Sequence, residues 1–318
     1  MQKMKTTITG LLALAIFAGC SNDENLPGGN DSDGRVAIRV SSNIDVTDGV
    51  KKTSTRAADD KWNADDEIGI FMLNGTSVDE YRNIPYITTS GNGSFAPLAD
   101  GTVIYLPVDG SGRDFVAYYP HKYAATDGNY TIDLTEQDDQ SAIDFMTSEK
   151  ANVEHSKVQG ISKSDPDVKF RFSHRLAKLR LNIETGAGFK GDHSELAGLT
   201  VELTGQQTTG TYNVLADDAI AIVPANETVP LHTEENGRSA EAIVFPSNDY
   251  SGMAFSFKVA GHDKPYIWNL SESTEATNFE EGKEYIYNIV INKTEINVTA
   301  TIKSWESGNG DGENGSAE

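Results

Sequence analysis

The chain has 318 residues, a formal net charge of −22 and a single cysteine. So acidic a surface repels nucleic acid and anionic lipid. One thiol supports neither an internal disulfide framework nor a cysteine-ligated metal, and a chain of this length suggests two domains with cores sufficient without them.

In chain order, the first predicted element is an export signal. Lys3 and Lys5 precede an apolar run from Ile8 to Phe17, and the small residues Ala18 and Gly19 stand directly before Cys20. The run is too short for a hydrocarbon core that needs about twenty residues. It reads as a lipoprotein-type secretory signal over residues 1–19, cut between Gly19 and Cys20, with the Cys20 thiol left for acylation. Several acyl chains on one cysteine would bind a membrane firmly, whereas one would not. Residues 20–35 are polar, acidic and Gly/Asn/Asp-rich, and are expected to form a flexible tether.

From there the chain alternates. Val36, Ile38 and Val40 are apolar at every second position, as are Val168, Phe170 and Phe172, then Ala177, Leu179, Leu181 and Ile183, then Leu199, Val201 and Leu203. Tyr285, Tyr287, Ile289 and Ile291 repeat the pattern, followed by Ile296, Val298, Ala300 and Ile302. A period of two marks half-buried strands. Turn clusters such as Asn74-Gly75, Asp109-Gly110-Ser111-Gly112 and Glu281-Gly282 separate them, so an all-β sandwich or barrel is predicted. Helical period is nearly absent, with room for one turn within 136–148. Apolar parity switches between Phe172 and Ala177, which requires a bulge or sheet-crossing bend near His174–Leu176. The polar segment 156–167 places a boundary between an N-terminal domain, 36–160, and a C-terminal domain, 161–305. Residues 306–318 lack any large apolar side chain and are expected to be disordered.

Residues with chemistry to offer do not assemble into a site. There is no Gly-x-Ser-x-Gly, and Ser173 and His174 are strand neighbours facing opposite ways. None of the six histidines has metal-ligand spacing, and the Gly-rich stretches are turns and not phosphate loops. The run from Asn30 to Gly34 lacks the later glutamate of a calcium loop. Acids at Asp65-Asp66-Glu67 and Asp138-Asp139 read as solvated, His174 as a structural residue beside the bend, and Trp62, Trp268 and Trp305 as core. No enzyme activity, cofactor or metal is expected.

Several stretches, in their order and spacing, carry a resemblance. They are Cys20 with its acidic follow-on; Ser54-Thr55-Arg56-Ala57 ahead of Trp62-Asn63-Ala64-Asp65-Asp66-Glu67-Ile68-Gly69-Ile70; and Asp114-Phe115-Val116-Ala117-Tyr118-Tyr119-Pro120. The others are Phe170-Arg171-Phe172-Ser173-His174-Arg175-Leu176-Ala177-Lys178-Leu179, and Phe279-Glu280-Glu281-Gly282-Lys283-Glu284-Tyr285 leading to Trp305. Together they make the chain resemble the fimbrillin-like proteins of Bacteroidales, which build type V pili. The resemblance implies two transthyretin-like β-sandwich domains in series and a lipoprotein precursor bound to the outer membrane through its acyl chains. It also implies an arginine-specific protease that cuts a loop after the first strand. Arg56 matches that position, so the cut would fall before Ala57; the loop from Lys51 to Arg56 is polar, basic and free of proline, as protease-entered loops are.

Such a cut removes the lipid and the strand carrying Val36, Ile38 and Val40. At roughly 1.5–3 kcal/mol per buried side chain, about 5–9 kcal/mol of burial is vacated, leaving open backbone edges that a strand from another pilin subunit can fill. In the family the donor lies in the C-terminal region; here the candidate is the strand bearing Ile296, Val298, Ala300 and Ile302, provided that it can leave its own sheet. The tail beyond Trp305 has no alternation and cannot donate, which leaves a tip or accessory role open beside the stalk. Two further readings stand beside the pilin: a monomeric surface lipoprotein that binds a glycan or host protein, and a pilus anchor that keeps its lipid.

Overall fold

Residues 34–44, 61–148, 158–216, 219–223, 227–272 and 278–304 are described in the computed structural model. Gly19, Cys20, Arg56, Ala57 and Trp305 lie outside them, as do the leader, most of the tether and residues 306–318. Among the described residues the chain forms 23 strands and four short 3-10 turns, an all-β fold. One of those turns, Gln140–Ala142, takes up the single helical turn anticipated within 136–148.

The first half contains β1 (Val36–Ala37), β2 (Arg39–Ile44), β3 (Asp66–Asn74), β4 (Ser77–Val78), β5 (Ile84–Thr88) and β6 (Ser94–Pro97). It continues with β7 (Tyr105–Leu106), β8 (Arg113–Tyr119), β9 (Asn129–Asp133), β10 (Met146–Thr147), β11 (Val158–Ile161) and β12 (Asp167–His174). Strand β8 pairs with both β10 and β3. The order β8-β10-β12-β2-β6-β5-β3 therefore returns to β8, and the sheet closes on itself. Closure removes exposed edges and wraps a core that includes Ile68, Phe95, Phe115, Phe170 and Phe172.

The second half is formed by β13 (Ala177–Thr185), β14 (Thr200–Gln206), β15 (Thr209–Asn213), β16 (Ala221–Ile222), β17 (Glu227–Pro230) and β18 (His232–Thr233). It ends with β19 (Ser239–Val244), β20 (Ala254–Lys258), β21 (Tyr266–Asn269), β22 (Lys283–Ile291) and β23 (Ile296–Ser304). A five-stranded sheet, β18-β19-β13-β22-β23, and a four-stranded sheet, β17-β14-β20-β21, share one core around Leu179, Leu203, Phe255 and Tyr287. Trp268 belongs to that core, stacked on Phe255 with ring centroids 5.2 Å apart.

Between the halves the parity change in the sequence becomes a change of sheet. Strand β12, at the start of the predicted C-terminal domain, pairs with β2 and β10 in the first half. Only from Ala177 does the chain pair with β19 and β22. The switch thus occurs across Arg175 and Leu176, where Arg175 is buried and its Nε donates to Thr147 Oγ1 at 2.6 Å. A third apolar cluster spans the seam, with Phe71, Tyr118 and Phe145 from one side and Tyr212, Ile243 and Phe245 from the other. Strand β9 pairs with β15 across it. The buried Gln137 also bridges it: its Nε2 donates to the Ile243 carbonyl at 3.0 Å, and its Oε1 accepts from the Ile243 N–H at 2.8 Å.

Candidate assembly site

The first strand is an integral part of the first core. Strand β2 runs parallel to β12, with Val40 opposite Val168, Ser42 opposite Phe170 and Ile44 opposite Phe172. On its other side Val40 and Ser41 pair antiparallel with Phe95 and Ser94 of β6. The ladder continues through Ser42 N–H to the Gly93 carbonyl at 2.7 Å and Ile38 N–H to the Ile104 carbonyl at 3.1 Å. Gly93 has φ +82, and a Cβ there would collide with the Ser42 carbonyl oxygen, so only glycine lets this turn come so close to the strand. Ile38, Val40 and Ile44 are 3%, 3% and 5% exposed.

Sequence alternation predicts Val36, Ile38 and Val40 as the inward set. The structure keeps Ile38 and Val40 inward but leaves Val36 half-buried and buries Ala37 instead. The cause is a change of partner at Ile38: β1 pairs with β7, Val36 opposite Leu106, whereas β2 pairs with β12 and β6. The phase of alternation resets there. Ile44, missing from the predicted set, is the last inward residue. Its signal was the same period of two, masked by the polar Ser42 between it and Val40.

Trp62 forms one wall of the slot that β2 fills. Its ring meets Phe95, Tyr119 and Phe172 edge-on, with centroids 5.1, 5.3 and 5.0 Å away, while its Nε1 is buried without a hydrogen-bond partner. A small cavity at the Ile44 end is bordered by Trp62, Asp66, Tyr119, Asp144 and Met146. Asp66 accepts from Asn63 N–H at 2.6 Å and from the Tyr119 hydroxyl at 2.9 Å. Burial pushes its carboxyl above the ordinary carboxylate range, and these two hydrogen bonds oppose the shift. His174 Nδ1 lies 2.8 Å from the buried Asp144 carboxylate. These polar groups tie strands together: Asp66 joins β3 to β8, and His174 ties the end of β12 to the segment before β10. Asp138, read as solvated, is exposed and 3.1 Å from His232.

The candidate donor is seated quite differently. Strand β23 pairs antiparallel with β22 along all nine residues, from Ile296 opposite Ile291 to Ser304 opposite Lys283, and it is the last strand in its sheet. Ile296, Val298 and Ala300 are only partly buried against the second core, and Ile302 is 49% exposed. One strand is therefore sealed into a closed sheet and the other laid along an edge.

A fimbrillin-like family model matches residues 55–305. The chain is 41% identical over 322 aligned residues to a protein of Bacteroides uniformis named as a candidate fimbrium subunit, Fim1C, covering 99% of this chain and all of that one. Among solved structures it is similar to a candidate cell adhesion protein of Bacteroides uniformis, with 35% identity and a TM-score of 0.72 over 86% of this chain and 99% of the other. A candidate cell adhesion protein of Bacteroides ovatus shares the fold at 24% identity, with a TM-score of 0.65 over the same shares.

Proposed function

The chain belongs to the fimbrillin-like family, a family of structural subunits at the cell surface and not of enzymes, and from that premise we propose that it is a pilus subunit assembled by strand exchange. It is exported as a lipoprotein acylated at Cys20 and held at the outer membrane. An arginine-specific protease cuts between Arg56 and Ala57, the lipid leaves with β1 and β2, and a strand of another subunit takes the vacated slot. The division into two transthyretin-like sandwich domains belongs to the same proposal, with the boundary at the Arg175–Leu176 bend and not at residue 160.

The observation that carries this reading is the placement of β2. It fills the centre of a closed sheet, buries Ile38, Val40 and Ile44, and has hydrogen-bonded neighbours on both sides. Yet it is joined to the rest of the chain only through the segment that contains Arg56. One cut there frees the whole strand. The edge position of β23 supports it as the donor, since half-buried side chains cost little to withdraw.

The test is the covalent state of the protein on its own cells. Surface material is sheared off, and the N-terminus of each form is sequenced, with radiolabelled palmitate to follow acylation. The reading expects a sheared, high-mass form that begins at Ala57 and carries no label, and a labelled membrane form that begins at Cys20. A surface protein found only in the labelled, uncut form would exclude a maturing subunit and leave the lipid-retaining anchor or the monomeric binder.

A further inference from the structure

An asparagine followed by glycine is chemically labile, because the bare glycine backbone lets its amide nitrogen reach the asparagine side-chain carbonyl. Such pairs begin at Asn74, Asn92, Asn236, Asn309 and Asn314, and the first three lie among the described residues. These three differ in what holds them. Asn74 closes β3 and pairs with Ser77 of β4, so its backbone is fixed in a strand. Asn236 and Asn92 sit in turns of one kind. Each accepts through Oδ1 from the N–H two residues on, Arg238 at 2.7 Å and Ser94 at 2.9 Å. The contrast lies in the attacking and leaving nitrogens. Gly237 N–H donates to the Glu234 carbonyl at 2.8 Å, and Asn236 Nδ2 to the Glu234 carboxylate at 3.3 Å. Gly93 N–H and Asn92 Nδ2 donate to no group among the described residues, and the Asn92 side chain is exposed.

We propose that Asn92 is a site of spontaneous modification, converted to isoaspartate through the Gly93 nitrogen, and that the conversion loosens the hold of the closed sheet on β2. The Gly93 nitrogen attacks Asn92 Cγ, and the new C–N bond closes a five-membered imide. Nδ2 leaves as ammonia, carrying the proton that Gly93 gives up. Charge that develops on Oδ1 meets the Ser94 N–H already directed at it. Water then opens the imide. Attack at the Asn92 main-chain carbonyl leaves an isoaspartyl link through Cγ, and attack at Cγ leaves aspartate. One water is consumed and one ammonia released, with no oxidant and no enzyme.

This turn has no slack for an added atom. A Cβ on Gly91 would collide with the Trp62 carbonyl oxygen, and one on Gly93 with the Ser42 carbonyl oxygen. The Gly93 carbonyl accepts from Ser42 N–H at 2.7 Å, the rung next to the Ser41–Ser94 pair of β2 and β6. An isoaspartyl link carries the main chain through Cβ and Cγ, one carbon longer, and leaves a carboxylate beside it. Gly93 is then displaced from Ser42, and β2 is held beyond Ser41 by β12 alone. The effect belongs to the uncut chain and does not depend on the later removal of β2.

The test ages the purified full chain carrying Cys20→Ser at mildly alkaline pH. Isoaspartate at each Asn-Gly pair is measured by peptide mapping and by enzymatic methyl labelling of isoaspartyl groups. A parallel sample in urea, where every pair is open, supplies each site's unfolded rate. Asn92 should react within about threefold of its unfolded rate. Asn74 and Asn236 should be slowed at least about tenfold, the factor that one hydrogen bond of ordinary net strength supplies. Slowing of Asn92 by as much as the other two overturns the site. Hydrogen exchange then reads the consequence. In aged chain the Ser42 amide should exchange at least about tenfold faster than in fresh chain. Asn92→Ser keeps an acceptor for Ser94 N–H and cannot form the imide, so its Ser42 amide should not change with age. Unchanged Ser42 exchange in chain shown to carry isoaspartate at 92, or equal acceleration in Asn92→Ser, overturns the loosening of β2.

Discussion

Ile44→Ala and Ile302→Ala delete the same carbons from two places with opposite burial. Ile44 is 5% exposed inside the closed sheet, and Ile302 is 49% exposed on the edge strand. At roughly 0.8 kcal/mol per buried CH2, the three lost carbons of Ile44 are worth about 2.4 kcal/mol of transfer, and the cavity left behind places the total at about 2–5 kcal/mol. Half the transfer term and no cavity leave about 1 kcal/mol for Ile302. With a urea dependence of roughly 2 kcal/mol per molar, the midpoint of the uncut chain should fall by about 1–2.5 M for Ile44→Ala and by less than about 0.5 M for Ile302→Ala. Unfolding is followed by tryptophan fluorescence, with Trp62 reporting the first core and Trp268 the second. Equal shifts for the two variants, or the larger one at Ile302, would refute the contrast between a sealed strand and a loosely seated one.

Three further results are expected. Trp62→Ala should cost about 3–5 kcal/mol, whereas Trp62→Phe should cost less than about 1.5 kcal/mol, because the indole N–H has no partner to lose; denaturant titration of both separates ring packing from hydrogen bonding. Gln137→Ala strands the N–H and carbonyl of Ile243 in the seam and should destabilise the chain by about 1–3 kcal/mol, read calorimetrically. Burial, against the opposing pull of Glu67, holds the His121 imidazole below its ordinary pKa. Unfolded His121 binds a proton below about pH 6.5 and folded His121 resists it, so its stabilising contribution is complete above that pH and declines as pH falls toward the folded value. The stability lost between pH 8 and 5.5 should accordingly be smaller in His121→Phe than in the unchanged chain.

The strands were legible because one property, side-chain alternation, encodes them locally. Phe170 and Phe172 of β12 and Leu179 and Leu181 of β13 point inward as their spacing requires, and the change of parity between those strands marked the bend correctly. What the spacing does not encode is the partner. Strand β2 lies beside β12, so that Arg39 reaches Asp167 across most of the first half, and this pairing assigns β12 to the first sheet although the polar segment before it suggested a boundary. The exchange of Val36 for Ala37 has the same origin, since the phase resets where β1 and β2 take different neighbours. In the assembly site, Ile38, Val40 and the β23 face could be read directly. Trp62 as a wall of the slot emerges only once distant segments are folded against it.

The most direct measurement uses the purified full chain carrying Cys20→Ser, digested briefly with an arginine-specific protease and run unboiled on a denaturing gel, with the N-terminus of every band sequenced. Strand exchange between copies should give a ladder of oligomers, each rung beginning at Ala57. Resistance to cleavage at Arg56, or cleaved chains that remain monomers at every concentration, would contradict it.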